Sequence, residues 1–161
     1  MIATRPATRD DVERISALLM ANAADRGGML VGDWSVGVVR DCIAAGQLII
    51  VARDGAHLLG VLFTSEKVRA SAPPVLAMLT AWPGSVDAYV YGPVCIDQAA
   101  RGRGVLEALY AELVARQPGR EAILFIKADN ERSLRAHVRL GMVPVARFTL
   151  GAEVFIVLSS G

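Results

Sequence analysis

Residues 97–106 read Asp97-Gln98-Ala99-Ala100-Arg101-Gly102-Arg103-Gly104-Val105-Leu106, and the fold is decided by what flanks them. Upstream, Ala88–Ile96 is a compact apolar run of strand length. Downstream, Val105, Leu106, Leu109, Leu113 and Val114 recur at helical spacing until Pro118 and Gly119 stop them. Ala122–Ile126 is then a second buried strand, which completes a unit of strand, glycine loop, helix and strand. Glycines let successive backbone N–H groups converge at the mouth of a helix, where the peptide dipoles favour an anion. A dinucleotide fingerprint needs a third glycine where Glu107 stands, and an NTPase P-loop needs a Gly-Lys-Ser/Thr run that the chain lacks. An anion cradle and a plain tight turn are the two readings left.

Working outward, Asn130–Leu140 predicts a helix ended by Gly141, followed by strands Val143–Leu150 and Val154–Leu158 with a turn at Gly151. On the other side, Leu48–Arg53 and Leu58–Ser65 predict an antiparallel hairpin turning at Asp54 and Gly55. Glu66–Val86 is punctuated by Pro73, Pro74, Pro83 and Gly84, with a short helix over Val75–Trp82 carrying proline in its first turn. The N-terminal part predicts a strand at Ile2–Arg5. Thr8 caps the next helix, Asp10 and Asp11 lie in its first turn, and its stripe is Val12, Ile15, Leu18 and Leu19. A loop at Asp25–Gly28 leads to a second helix after Asp33 that uses Val38, Val39, Cys42 and Ile43 and stops at Gly46. Inside the strand Ala88–Ile96, Gly92 and Pro93 mark a bulge or an opened strand pair, because proline cannot donate to a ladder.

Composition narrows the function classes. The chain has 161 residues, of which 53% are apolar and 20% charged, enough for one well-filled domain over residues 1–161 and too apolar for disorder. The mean hydropathy is +0.42, yet no apolar run reaches the roughly 20 residues that cross a bilayer, so no membrane partner is expected. Seventeen Lys and Arg against 16 Asp and Glu leave a net charge of +1, which argues against a nucleic-acid partner. Two cysteines, Cys42 and Cys95, are too few for a disulfide framework. The first eleven residues lack the apolar core of a signal peptide, and the chain reads as cytoplasmic.

With these pieces in order, the sequence resembles the GCN5-related N-acetyltransferase (GNAT) family. The family's cofactor loop runs Gln/Arg, two residues, Gly, one residue, Gly/Ala, and Arg101–Leu106 follows it except that Leu106 stands where a small residue is usual. A second segment, Asn130 to Met142, is similar to the family's Asn-x-x-Ala/Ser-x-x-x-Tyr-x-x-x-Gly-Phe helix, with Ser133 in place and His137 where tyrosine is common. The likeness runs along almost the whole chain. It implies an α/β fold with a mixed, mostly antiparallel sheet flanked by helices, splayed between the fourth and fifth strands.

The same resemblance implies an N-acetyltransferase that moves an acetyl group from acetyl-CoA to a primary amine of a small molecule, by direct attack in a ternary complex and without a metal. Arg101, Gly102, Arg103, Gly104, Val105 and Leu106 would hold the pyrophosphate. Val94, Cys95 and Ile96 would offer strand amides, and Asn130 and Ser133 would meet the pantetheine arm. His137 would protonate the leaving thiolate, and Glu66 and Asp87 are the candidate bases. The acceptor segments would be Asp25–Trp34 and Glu66–Val86, which mix Met29, Leu30, Trp34, Leu76, Met78 and Trp82 with few charges. A homodimer is left open. Against these stand a helix cap for Asn130, a packing histidine for His137, solvated carboxylates for Glu66 and Asp87, and a core thiol for Cys95. Two rival functions remain: a non-catalytic acyl-CoA-binding or regulatory module on the same fold, and an interaction domain using the apolar loop Val75–Trp82.

Overall fold

Gly55, at a φ of +60°, folds strand β2 (Ile49–Asp54) back onto β3 (His57–Glu66). Asp54 faces His57 across the ladder, so the tight turn is made by Gly55 and Ala56, one residue later than the sequence predicts. The computed structural model describes residues 1–23 and 32–161. The expected loop at Asp25–Gly28, and Met29 and Leu30 of the acceptor segment, fall outside the described residues.

The remaining elements are β1 (Ala3–Pro6), α1 (Val12–Ala21), α2 (Val36–Ala44), α3 (Pro73–Ala81), β4 (Tyr89–Ile96), α4 (Val105–Arg116), β5 (Ala122–Lys127), α5 (Glu131–Arg139), β6 (Val143–Leu150) and β7 (Glu153–Ser159). The strands form a seven-stranded sheet in the order β1-β2-β3-β4-β5-β7-β6. Its β4–β5 neighbours run parallel, while β1–β2, β2–β3, β5–β7 and β7–β6 run antiparallel. This is the mixed, mostly antiparallel sheet that the sequence implies. Among the described residues, no helix is long and apolar enough to cross a membrane.

The chain divides into two compact units, one of residues 1–64 and 92–118 and the other of residues 65–91 and 119–161. In the first, the stripe of α1 (Val12, Ile15, Leu19) and Val39 of α2 pack on Ile49, Val51, Val61, Phe63 and Cys95. Asp11, placed by the sequence in the first turn of a helix, is 2% exposed. Its carboxylate accepts two hydrogen bonds from Arg5, at 2.7 and 3.0 Å, and one from the Thr8 N–H at 2.8 Å. Burial raises its pKa, but these donors outweigh burial and hold it below the usual carboxylate range.

In the second unit, Pro73 opens α3 because its missing N–H would be unpaired there in any case. Met78 of α3 packs with Ala88, Val90, Ile123 and Val157. Met78 is fully buried, which removes it from the expected acceptor surface: the helical turn of α3 aims it into the core. Phe125, Phe148 and Phe155 join β5, β6 and β7 through edge-to-face and stacked contacts at 4.9–5.9 Å between centroids.

Candidate functional site

In the first unit, β4 leads through an Asx turn into the glycine loop. The Asp97 N–H donates to the Leu59 carbonyl over 2.8 Å, and the Asp97 carboxylate accepts from the Ala99 N–H at 3.3 Å. A single 3-10 turn, Gln98–Ala100, follows with Ala100 buried as its anchor. Gly102 and Gly104 then sit at φ of +79° and +81°, and a Cβ at either position would meet no atom within 4 Å. Their backbone therefore faces open space, and the left-handed conformation explains why glycine stands at both.

Gly104 is the residue before α4, whose first N–H groups have no intrahelical acceptor. Val105 is anchored in the core beside Gly60, where a Cβ would come within 2.9 Å of both Ile96 and Val105. That close approach seats the start of α4 on β3. Arg101 is exposed, and Arg103 pairs with Asp54 at 3.2 Å. Two positive-φ glycines, a helix start and nearby guanidinium charge are the features that an anion cradle requires.

Of the strand residues implied to offer amides, Val94 and Ile96 are half-buried and Cys95 is buried. Burial pushes the Cys95 thiol up to about 11, with the Arg101 charge opposing it and Asp97 adding to it.

In the second unit, the pairing of β4 with β5 covers Tyr89↔Ala122 and Val90↔Ile123 and no further. The ladder thus ends ahead of Gly92 and Pro93, as the sequence suggests, and Gly92 adopts a φ of +118°. On α5, Asn130 caps the helix by accepting from the Ser133 N–H at 3.3 Å. His137 is 2% exposed. Its Nδ1 lies 2.8 Å from the Ser133 carbonyl and 3.3 Å from the Ser133 hydroxyl, and its Nε2 lies 3.0 Å from the Tyr91 hydroxyl. The two rings meet edge to face. A carbonyl can only accept, so Nδ1 donates to it and Nε2 accepts from Tyr91. Burial lowers the His137 pKa and the Ser133 carbonyl only partly offsets this, which keeps the ring neutral.

Glu66 and Asp87 are both drawn to Arg120. The Glu66 carboxylate accepts two bonds from its guanidinium, at 2.8 and 3.2 Å, whereas Asp87 offers its main-chain carbonyl at 2.8 Å. The hydrogen bonds from Arg120 hold the Glu66 carboxyl below its ordinary range against a smaller opposing effect of burial. Sequence reasoning missed two polar groups here. Tyr91 reads as one more apolar residue of a buried strand. Glu121 sits at the start of β5 with no motif around it, yet it is 6% exposed and accepts from Trp82, Ser85 and Ser159.

Neither a protein-family model nor a curated protein matches the sequence. Solved structures do match it in fold. A GNAT-family acetyltransferase from Bacillus cereus superposes with a TM-score of 0.73 at 12% identity, over 99% of this chain and 96% of that one. A histone acetyltransferase HPA2 and related acetyltransferase from Corynebacterium glutamicum gives 0.72 at 20% identity, over 99% and 95%. NAA60 of Arabidopsis thaliana, solved in complex with acetyl-CoA, gives 0.72 at 15% identity, over 99% and 97%. The chain has the fold of the GCN5-related N-acetyltransferases.

Proposed function

We propose that residues 1–161 act as one acetyl-CoA-dependent N-acetyltransferase domain that transfers the acetyl group to a primary amine of a small molecule. One observation carries the reading: two left-handed glycines open the backbone at the N-terminus of α4, in a fold shared with acetyltransferases, one of them solved with acetyl-CoA. The pyrophosphate is held by Arg101, Gly102, Arg103, Gly104, Val105 and Leu106, since close-packed amides at a helix start favour an anion. Amides of Val94, Cys95 and Ile96 polarise the thioester carbonyl, and Asn130 and Ser133 hold the pantetheine arm. The amine attacks the carbonyl carbon directly, and the gain comes from holding both reactants in register. Glu66 and Asp87 remain the carboxylates nominated as base, and His137 stands on the proton path to sulfur. Two unpaired cysteines fit a reducing cytoplasm.

A small, weakly charged acceptor is supported by the half-buried Trp34 and Trp82 in the segments nominated for it. A non-catalytic acyl-CoA-binding module is the second reading, favoured by the burial of His137 and the occupation of both its nitrogens. Calorimetric titration with acetyl-CoA, followed by thiol release against a panel of small primary amines, separates the two. Binding with turnover supports the transferase, binding without turnover supports the module, and absence of binding overturns both.

A further inference from the structure

We infer that the cavity walled by Trp82, Pro83, Ser85, Glu121, Val143 and Ser159 is a second binding site, built to hold a small organic ammonium ion against the Glu121 carboxylate. The inference goes beyond the acetyltransferase reading and does not depend on it. All of these residues belong to one compact unit, residues 65–91 and 119–161. The cavity measures about 580 Å³, within the range of small-molecule sites. Asn130, nominated for the pantetheine arm, follows the far end of β5, about 17 Å of strand from Glu121.

The charge of Glu121 selects the ligand. Its carboxylate is buried, and every donor on it is neutral: the Trp82 indole, the Ser85 N–H and hydroxyl, and the Ser159 hydroxyl. Its chain neighbour Arg120 turns to Glu66 instead, and among the described residues Glu121 takes part in no ion pair. Buried charges are ordinarily matched by an opposite charge. The neutral donors keep this carboxyl ionised and fix it in place, but they leave a full negative charge at the cavity wall.

The rest of the wall fits the other parts of such a ligand. Ser85 is exposed and spends its hydroxyl proton on Glu121, so the lone pairs of its oxygen are left to accept from an ammonium N–H. Trp82 offers an indole, the aromatic ring that attracts cations best. Pro83, Val143 and Val145 supply apolar surface for the body that carries the charge, and Val143 is 57% exposed. A metal ion is a poorer match, because among the described residues no group of three His, Cys, Asp or Glu side chains converges. An anion is repelled by the carboxylate itself.

The test uses the whole protein without acetyl-CoA, so that its outcome is independent of turnover. The probe is benzylammonium chloride, with benzyl alcohol as its uncharged counterpart. Binding is read by proton NMR from the indole N–H of Trp82, which reports directly on its bond to Glu121 and is assigned by its loss in Trp82→Phe. A saturable shift is expected with benzylammonium, and an affinity at least about tenfold weaker for benzyl alcohol, the scale of losing the charge and cation–π attraction. Glu121→Gln removes the charge, keeps the shape, and is expected to weaken benzylammonium binding by a similar factor. If Glu121→Gln does not fold, the exposed Val143 decides: Val143→Lys sets a cation at the cavity and is expected to weaken binding about tenfold or more, while Val143→Met leaves it within about threefold. No saturable shift, equal affinity for benzyl alcohol, or undiminished binding by folded Glu121→Gln or by Val143→Lys overturns the site. Each of those results leaves the acetyltransferase reading standing, whose own test is acetyl-CoA binding and turnover.

Discussion

The indole N–H of Trp82 donates to the Glu121 carboxylate over 2.9 Å across 39 residues of sequence. The Ser85 N–H and hydroxyl and the Ser159 hydroxyl bond the same carboxylate. A buried negative charge is thus held by neutral donors, which fastens the Pro83–Ser85 turn to the start of β5. Gly84, at a φ of +66°, crosses so close to this carboxylate that a Cβ would lie 2.8 Å from its oxygen.

Acid stability follows from that arrangement. Burial raises the Glu121 pKa, but the bonds from Ser159, Trp82 and Ser85 outweigh it and take the value from 4.5 to about 2. A depressed folded-state pKa stabilises the protein above the unfolded value, and the contribution is lost as pH falls from about 4.5 through about 2. The shift corresponds to on the order of 3 kcal/mol. Chemical denaturation of the parent is expected to show a stability loss in that window. Glu121→Gln is expected to be less stable at pH 7 and to show a shallower slope, with Asp11 and Glu66, whose carboxyls are also held low, supplying the remainder; an unchanged slope would refute the assignment.

Asp11 and Arg5 give a second stability prediction. Asp11 is buried, whereas the Arg5 side chain is 38% exposed. Asp11→Ala leaves Arg5 without its bidentate partner and the Thr8 N–H without an acceptor. The expected cost is about 2 to 3 kcal/mol, at or below the low end for a broken buried pair because Arg5 reaches water. Arg53 also approaches Asp11, but at 3.9 Å, and its buried Nε has no hydrogen-bond partner. Arg53→Met is therefore expected to cost less than Arg5→Met in matched denaturation curves, and the reverse order would refute this account.

Much of this architecture is legible in the sequence, because glycines and apolar stripes report local constraints. Gly102, Gly104 and Gly141 take the positive φ that their positions suggest; of the predicted stripe, Val105, Leu109 and Leu113 are buried, whereas Leu106 is half-buried and Val114, on the solvent side of α4, is 43% exposed. What is not legible is pairing at a distance. Tyr91 and His137 lie 46 residues apart, and no local pattern distinguishes a tyrosine that bonds a histidine from one that fills a core. The burial of Asp11 is hidden for a related reason. A carboxylate in a first turn serves the helix dipole in water, and only the neighbouring strand, carrying Arg5, reveals that it is buried.

Gly104 gives a binding prediction. At a φ of +81°, with no atom within 4 Å of where a Cβ would stand, Gly104→Ala is penalised by conformation and not by a clash. The expected stability loss is about 1 to 2 kcal/mol. Acetyl-CoA affinity is expected to drop by about tenfold or more, since a side chain stands where the pyrophosphate must approach the α4 amides. Gly151→Ala is the control for stability alone, because it has a similar positive φ of +61° with no atom within 4 Å of its Cβ, in the β6–β7 turn where none of the residues nominated for the cofactor stands. Equal calorimetric affinity for Gly104→Ala and the parent would remove the pyrophosphate assignment.

The order of chemical steps can be tested at Cys95, the one thiol on β4. An acyl-cysteine route would need a thiolate near neutral pH, but burial pushes this thiol up to about 11, against the opposing charge of Arg101. At a pH of about 7.5 the thiolate is then on the order of one part in several thousand. Its Sγ lies 3.9 Å from the Leu18 carbonyl, inside the cluster formed with Ile15, Leu19 and Val61. Iodoacetamide is expected to leave Cys95 unmodified in the native protein and to label it once the chain is unfolded. Mixing the protein with acetyl-CoA in the absence of amine is expected to release no stoichiometric burst of free CoA. A burst, accompanied by a mass gain of roughly 42 Da on the Cys95 peptide as an acetyl group replaces a proton, would establish a covalent intermediate and overturn direct attack.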